Sequence, residues 1–257
     1  MAQKRKGRDL LTPAAIVDRA LALADAEGVN AVTIRRLARE LGVTPMALYW
    51  HFKDKDELLD ALADRLVAEI DPAIDENAPW QRQLAALLGA HLAVLRSHPS
   101  APALLWTRNN TSEPALQLTE VALDVLRRAG FSPDEATHIA RQAVRTTTAL
   151  VATQPLFSAG TDHQANTLRF LKSLPAGRYP RIIEAAAPLS GCDDPEAHYD
   201  FGLKMVLTSI EAMAERRRAV SDASTPDALF IRRWLRVRHE DMSCDHPAGL
   251  LSVAPPV

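Results

Sequence analysis

Hydrophobic residues recur along this chain every three or four positions, which is the spacing of one face of an α-helix. The clearest stretch runs from Thr33 to Leu41, where apolar residues share one face and charged residues occupy the other. No window shows the sustained alternation of a half-buried strand, and the dominant residues, Ala and Leu, both favour helix. The pattern therefore predicts an all-α fold.

Two short helices around a tight turn are predicted between Thr33 and Phe52. Gly42 ends the first helix, because glycine adopts the left-handed conformation at a helix end without a steric penalty. Thr44 caps the second helix and Pro45 begins it with its φ angle already fixed. Such a pair is typical of a helix-turn-helix, and Leu48 and Phe52 are predicted to anchor it in the core. The second helix carries exposed aromatic residues, which favours DNA as its partner.

Start and stop signals predict helices on both sides of this stretch. One begins at Thr12 and ends at Gly28, and a connector helix begins at Asp54, with Glu57 as a capping partner, and continues to residue 70. Residues 154–180 hold several Pro and Gly and are predicted to form a long loop or lid. Later helices are predicted at 80–97, 101–108, 113–129, 132–153, 177–186 and 195–220.

The organisation predicted from these signals has four parts. Residues 1–9 form a basic tail, 10–71 a helix-turn-helix DNA-binding domain, 72–220 a larger helical body, and 221–257 a carboxy-terminal extension. Residues 1–56 carry a net charge of +3 and the rest −5, although the whole chain is close to neutral at −2. A basic amino-terminal module on an acidic body is expected when only one end meets phosphate.

Composition restricts the cellular setting. Only two cysteines occur, Cys192 and Cys244, and they lie far apart, so a disulfide framework is not expected. No apolar run approaches the roughly 20 residues of a membrane span, and the start lacks the apolar core of a signal peptide. We expect a cytoplasmic protein without a membrane partner or a cofactor.

Candidate DNA-binding residues follow from the predicted helix-turn-helix. Thr33, Thr44 and the two lysines suit phosphate contacts, and Met46 and Ala47 suit apolar contact with a thymine methyl. For Tyr49 and Trp50 the alternative is packing between helices, and for Arg35 it is a solvated charge. The full set is Thr33, Arg35, Thr44, Pro45, Met46, Ala47, Tyr49, Trp50, His51, Lys53 and Lys55.

The run LYWHFKDKDELLDALA, residues 48–63, together with TIRRLARELGV resembles the amino-terminal domain of the tetracycline-repressor (TetR) family. Weaker similarity to the carboxy-terminal domain is carried by Trp80, the Ser97–His98 pair, residues 132–153 and the Phe201-Gly202-Leu203 run. The resemblance implies an all-helical homodimer with two DNA-binding heads and a ligand pocket in each body. It also implies an intersubunit four-helix bundle built from residues 132–153 and 195–218 of each chain.

The tetracycline chemistry of that family does not carry over. The repressors place a magnesium-binding histidine shortly after the Ser-His pair, but residues 101–106 contain none, and a second histidine position falls near Asp71. We therefore expect a small, largely apolar effector other than tetracycline–magnesium. Candidate ligand residues are His91, Leu104, Trp106, Arg108, Asn109, Gln117, His138, Arg141 and Arg145. The alternative for His138, Arg141 and Arg145 is a role in salt bridges of the dimer interface.

Three function classes compete. The first is a repressor released from a two-fold operator by an effector. An enzyme would need a catalytic constellation, and the sequence contains no G-x-S-x-G, H-E-x-x-H or phosphate-binding glycine loop. A constitutive DNA-binding protein is the third class, although an acidic body argues against DNA wrapping. A tail cluster of His239, Asp241, Cys244 and His246 matches no closed zinc pattern, so no metal site is predicted.

Overall fold

The computed structural model describes residues 11–108, 111–157, 161–191 and 194–222, and in these ranges every regular element is a helix. The predicted all-α fold is confirmed. The basic tail 1–9, Asn109, both cysteines, the tail cluster of His239 to His246 and residues 223–257 lie outside the described residues. The helices are α1 Pro13–Glu27, α2 Ile34–Leu41, α3 Pro45–Tyr49, α4 Lys55–Ala68, α5 Trp80–Ser97, α6 Ala101–Thr107, α7 Glu113–Arg128, α8 Pro133–Phe157, α9 Thr161–Lys172, α10 Pro180–Glu184, α11 Ala186–Ser190 and α12 Pro195–Asp222, with a 3-10 turn at Val29–Ala31.

Helix starts lie where the capping residues predict them. The side chain of Thr12 accepts a hydrogen bond from the amide of Ala15 (3.2 Å), and Pro13 follows at the first helical position. Ser132 and Glu135 form a reciprocal capping box at the start of α8, in which each side chain accepts from the other residue's amide. These local hydrogen bonds satisfy amides that a helix start otherwise leaves without a partner.

The connector helix α4 joins the amino-terminal head, α1–α3, to the body. Asp54 caps it by accepting from the amide of Glu57 (2.9 Å), and the carboxylate of Glu57 accepts from the amide of Lys53. The helix ends at Ala68, two residues earlier than predicted, because Glu69 and Ile70 close it with a tighter turn. It packs against α1 on one side and α6 and α7 on the other.

One hydrophobic cluster spans the head and the corner between α5 and α6. The head contributes the inner faces of α1 to α4, including the fully buried Leu48, and the body contributes Val94, Leu95, Ala101 and Leu104. Helices α4 and α6 are therefore in direct contact within one core. The head and this corner of the body share that core.

A second cluster forms the core of the body. It is built from α5, α7 and α8, with Phe131 as its largest fully buried side chain, and α12 joins it through Ile210 and Ala214. Helices α8 and α12 approach closely at Gly202, where an added Cβ would lie 2.5 Å from methyl carbons of Leu150. The described residues up to Ala214 form one compact unit, and a second unit begins at Glu215, of which the structure describes the end of α12.

The long loop predicted for residues 154–180 is wrong. Helix α8 continues to Phe157, and α9 occupies Thr161–Lys172. The partly buried side chains of α9 recur at helical spacing, at Gln164, Thr167, Leu168 and Leu171, and the helix packs against α11. Pro155 lies in the last turn of α8, and Pro175, Gly177 and Pro180 lie after α9 or at the start of α10, so these residues limit the helices without preventing them.

The helix predicted at 177–186 is also wrong in extent. Two short helices, α10 and α11, replace it, with Ala185 between them. Proline lacks the amide that an inner helical position must donate, so Pro180 takes the first position of α10 and residues 177–179 stay outside it.

Candidate nucleic-acid interface and effector region

The turn between α2 and α3 is fixed by local hydrogen bonds. The side chain of Thr33 accepts from the amide of Arg36, and that of Thr44 accepts from the amide of Ala47. Gly42 sits in the left-handed region (φ +67°), and its amide and the next one bond back to carbonyls of α2. The predicted helix-turn-helix is present, with α3 as its second helix.

Helix α3 is held by one buried side chain and presents the others to solvent. Leu48 is fully buried, whereas Trp50 is 85% exposed, Met46 68% and Tyr49 49%. The exposure of Trp50 excludes the alternative that its ring packs between helices. A cluster of large apolar side chains on one short helix is costly in water unless a partner covers it. We call this exposed surface the α3 face.

Polar and basic groups border the α3 face. Thr33, Thr44, Pro45, Arg35 and Lys53 are exposed, and Ala47, His51 and Lys55 are half-buried. Among the described residues no carboxylate lies within ion-pair distance of Arg35, Lys53 or Lys55. These positive charges are therefore available to phosphate.

Arg36 differs from its neighbour Arg35. Its guanidinium donates to Glu40 (2.8 Å) and to Glu27 (2.8 Å), and Arg19 pairs with the other oxygen of Glu40 (2.8 Å). The hydrogen bond from Arg36 lowers the pKa of Glu40 and keeps that carboxylate ionised. These pairs tie α1 to α2, so Arg36 serves the structure of the head while Arg35 faces outward.

The predicted ligand residues are dispersed through the body. His91 and Leu104 are buried, Trp106 is 59% exposed, and Gln117 donates to Glu113 on the surface of α7. His138, Arg141 and Arg145 lie on the exposed side of α8. Two hollows in the described part of the body, of about 270 and 250 Å³, are not lined by any predicted ligand residue.

His91 makes a buried polar contact between α5 and α8. Its Nε2 lies 3.1 Å from the hydroxyl of Thr148, which itself donates to the carbonyl of Val144 (2.9 Å). The hydroxyl has one hydrogen, so Nε2 is the donor and Nδ1 is left as an acceptor. Burial lowers the pKa of His91 to about 4, so the ring is neutral near pH 7.

Arg108 connects the body to the connector helix. Directly after α6, its guanidinium donates to Asp60 (3.0 Å) and to Asp56 (2.9 Å), which lie one turn apart on α4. Those hydrogen bonds, opposed by slight burial, raise the pKa of Arg108 further. The sequence predicted Arg108 as a ligand residue but did not predict its acidic partners, which lie about 50 positions away.

Within the described ranges, no group of three or more His, Cys, Asp and Glu side chains is placed to hold a metal ion. In those same ranges no helix combines the length and apolar character that crossing a bilayer requires.

Two family models match the chain. The model for bacterial regulatory proteins of the tetR family covers residues 16–62, and that for the tetracyclin repressor-like carboxy-terminal domain covers residues 72–214. The chain belongs to the TetR family. It is therefore a DNA-binding transcriptional regulator with a helix-turn-helix head, which confirms the resemblance seen in the sequence.

Individual TetR-family proteins match most of the chain. The HTH-type transcriptional repressor DrrR1 of Streptomyces coeruleorubidus is 28% identical over 228 residues, covering 84% of this chain and 83% of that protein. The class D tetracycline repressor of Escherichia coli is 30% identical over 202 residues, covering 76% of this chain and 87% of the repressor. The TetR-family protein ActR of Streptomyces coelicolor, solved with actinorhodin, superposes with a TM-score of 0.72 at 26% identity, covering 79% of this chain and 98% of ActR.

Proposed function

We infer that this TetR-family protein is a homodimeric repressor that a small, largely apolar effector releases from a two-fold operator. The observation that carries this proposal is the α3 face, where Met46, Tyr49 and Trp50 are exposed on a helix that has a single buried anchor. A short helix of this kind can enter the major groove with its outward side chains against the bases and the backbone.

Different side chains on and around the α3 face suit different contacts with DNA, some with bases and others with the phosphate backbone. Met46 and Ala47 provide apolar contact for a thymine methyl, and Tyr49, Trp50 and His51 can stack on sugar or donate to phosphate. Thr33, Arg35, Thr44, Lys53 and Lys55 surround them and contact phosphate, with Pro45 fixing the start of the helix. Phosphate contacts position the protein, so sequence preference is assigned to the α3 face itself.

An exposed apolar stripe supports dimerisation through α8 and α12. Phe201, Met205 and Met213 are exposed along one side of α12, and Val144 is exposed on α8. Arg141 and Arg145 lie beside Val144 and supply charged groups for the edge of such an interface. A second copy that covers these stripes would form the four-helix bundle expected of the family. Two α3 helices would then be held about 34–36 Å apart, one turn of DNA.

Effector control requires a connection between the body and the head, and α4 provides it. Its first two turns are bonded to Arg108, and its inner face packs against Leu104 and Leu95 in the cluster shared with the α5–α6 corner. An effector that shifts α6 therefore tilts α4 and changes the separation of the two α3 helices. By linkage it weakens DNA binding only as far as it binds the released arrangement more tightly.

The chemistry of His91 suggests which polar group the effector carries. The ring is neutral near pH 7 and its Nδ1 is an acceptor, so it suits a neutral donor such as a hydroxyl better than a carboxylate. ActR is solved with actinorhodin, and several relatives are named tetracycline repressors, which supports a small-molecule effector for this chain.

Selection of bound duplexes from a random DNA pool tests the proposal. We expect an inverted repeat whose half-site centres lie about 10 base pairs apart. The double variant Tyr49→Ala/Lys55→Ala should lose the enrichment, whereas Lys172→Ala, which removes an exposed lysine at the end of α9, should retain it. A monomeric protein, or unchanged duplex affinity in the double variant, would contradict the proposal.

Arg108→Gln tests separately whether the body acts on the head through α4. The variant keeps a polar side chain but loses the charge that pairs with Asp56 and Asp60, so operator affinity should change while the α3 face stays intact. Arg181→Gln breaks a fully exposed pair with Glu184 and serves as the control. Equal operator affinities for the two variants and the wild type would refute a coupling role for Arg108.

A further inference from the structure

His98 lies where the head, the connector helix and the body meet. It follows α5 directly, and its side chain is 19% exposed. Its Nδ1 lies 2.7 Å from a carboxylate oxygen of Asp25, near the end of α1, and its Nε2 lies 2.9 Å from a carboxylate oxygen of Glu69, at the end of α4. One imidazole ring therefore bridges two elements of the DNA-binding part and one of the body.

Only the protonated ring can satisfy this geometry. Ionised carboxylates accept hydrogen bonds and donate none, and a neutral imidazole has a single N–H. In the neutral form one ring nitrogen would face a carboxylate oxygen lone pair to lone pair. Partial burial by itself lowers the pKa of His98, but the hydrogen bonds to Asp25 and Glu69 outweigh it and the pKa is raised.

The charged groups around His98 make the loss of its proton costly. From α1, Asp25 also accepts from the amide (3.0 Å) and the hydroxyl (2.6 Å) of Ser100. From α4, the second oxygen of Glu69 pairs with Arg65 (2.6 Å), which also reaches Asp18 on α1 (3.2 Å).

Three further charged residues lie near this site. Asp71, after α4, lines the same surface hollow as Glu69, and Arg96 on α5 is paired with Glu196 of α12. Carboxylates outnumber the cations around the ring, so removal of the proton from His98 increases an existing negative charge.

We propose that His98 is a positioning residue that, when protonated, locks the ends of α1 and α4 onto the α5–α6 corner. Loss of the proton releases the end of α4 while Arg108 still holds its start, so the helix can pivot and the α3 face changes its orientation. Operator affinity therefore depends on pH through a group far from the DNA. This inference rests on the proposed operator binding.

Operator affinity of the full-length protein, measured by fluorescence anisotropy between pH 6 and 8.5 with the selected duplex, tests the lock. We expect the wild-type affinity to change by about fivefold or more across the His98 titration, in line with typical coupling between sites. His98→Gln, a neutral side chain that cannot be protonated, should remove this component of the pH dependence. His163→Gln, on the exposed side of α9, should behave like the wild type.

A titration of the histidine resonances by NMR gives a second measurement that does not need DNA. Asp25→Asn removes one carboxylate and should move the His98 midpoint, and the midpoint of the affinity change with it, to lower pH. Identical pH profiles for the wild type and His98→Gln, or a His98 midpoint at or below the ordinary value of about 6.5, would overturn the proposal. If no duplex is selected at any pH, the proposed function fails. The NMR midpoints of His98 in the wild type and in Asp25→Asn then still test whether protonated His98 binds Asp25 and Glu69.

Discussion

Replacement of Trp50 by alanine should separate DNA binding from folding. The side chain is 85% exposed, so only about a sixth of its surface is buried against the protein. A fully buried Trp removes up to about 250 Å² from water, so about 40 Å² is lost here, worth about 1 kcal/mol at 25 cal/mol per Å². The free energy of unfolding should therefore fall by at most about 1 kcal/mol.

The effect on DNA binding should be larger, because each dimer carries two copies of the residue. A side chain that contributes at a binding surface costs about 1 kcal/mol or more on truncation, so two copies cost about 2 kcal/mol. That corresponds to a loss of roughly 30-fold in operator affinity. Fluorescence anisotropy with the selected duplex measures the affinity, and urea denaturation followed by circular dichroism measures the stability.

Phe170→Ala is the control for DNA binding, since Phe170 is an exposed aromatic ring on α9, outside the head. It should leave operator affinity unchanged. If Trp50→Ala lost several kcal/mol of stability, or kept wild-type operator affinity, the assignment of the α3 face to DNA would be refuted.

Three further substitutions test other parts of the structure. Leu48→Ala removes the fully buried anchor of α3 and should cost about 3–5 kcal/mol of unfolding free energy, measured in urea, with wild-type stability contradicting its place in the core. Gly42→Ala puts a side chain at φ +67° and should cost about 1 kcal/mol, whereas a rise in melting temperature would mean that the turn adopts another conformation. His91 has its pKa lowered to about 4 in the folded protein, so its contribution to stability is present above pH 6.5 and is lost as the pH falls towards 4. That loss should be of the order of 3 kcal/mol and absent in His91→Gln, and parallel pH profiles of the two proteins would show that the ring is not buried as a neutral group.

The head could be predicted closely from the sequence because its signals are local. A cap such as Thr44 bonds to an amide three positions away, and the conformation of Gly42 depends on its own backbone. Helical periodicity then separated the buried Leu48 from the exposed Trp50. Short-range hydrogen bonds and side-chain spacing are thus sufficient for a helix-turn-helix.

The effector region could not be predicted in the same way. His91 meets Thr148 across 57 positions, and His98 meets Asp25 across 73, so neither partner has a local signal. Arg108 is predicted as a ligand residue, but its partners on α4 depend on how two helices pack, which no local pattern indicates. In residues 154–180 the prolines and glycines indicate a loop more strongly than the spacing of apolar residues indicates a helix. The sequence therefore does not predict α9.

Helix α3 is fixed to the core by one buried side chain, that of Leu48, and this affects how its exposed residues can change in evolution. Its exposed side chains, Met46 and Tyr49, contribute little to the stability of the chain, so substitutions there carry only a small folding penalty. Under the proposed function, the preferred DNA site can therefore change one substitution at a time, while the scaffold that holds the helix stays the same.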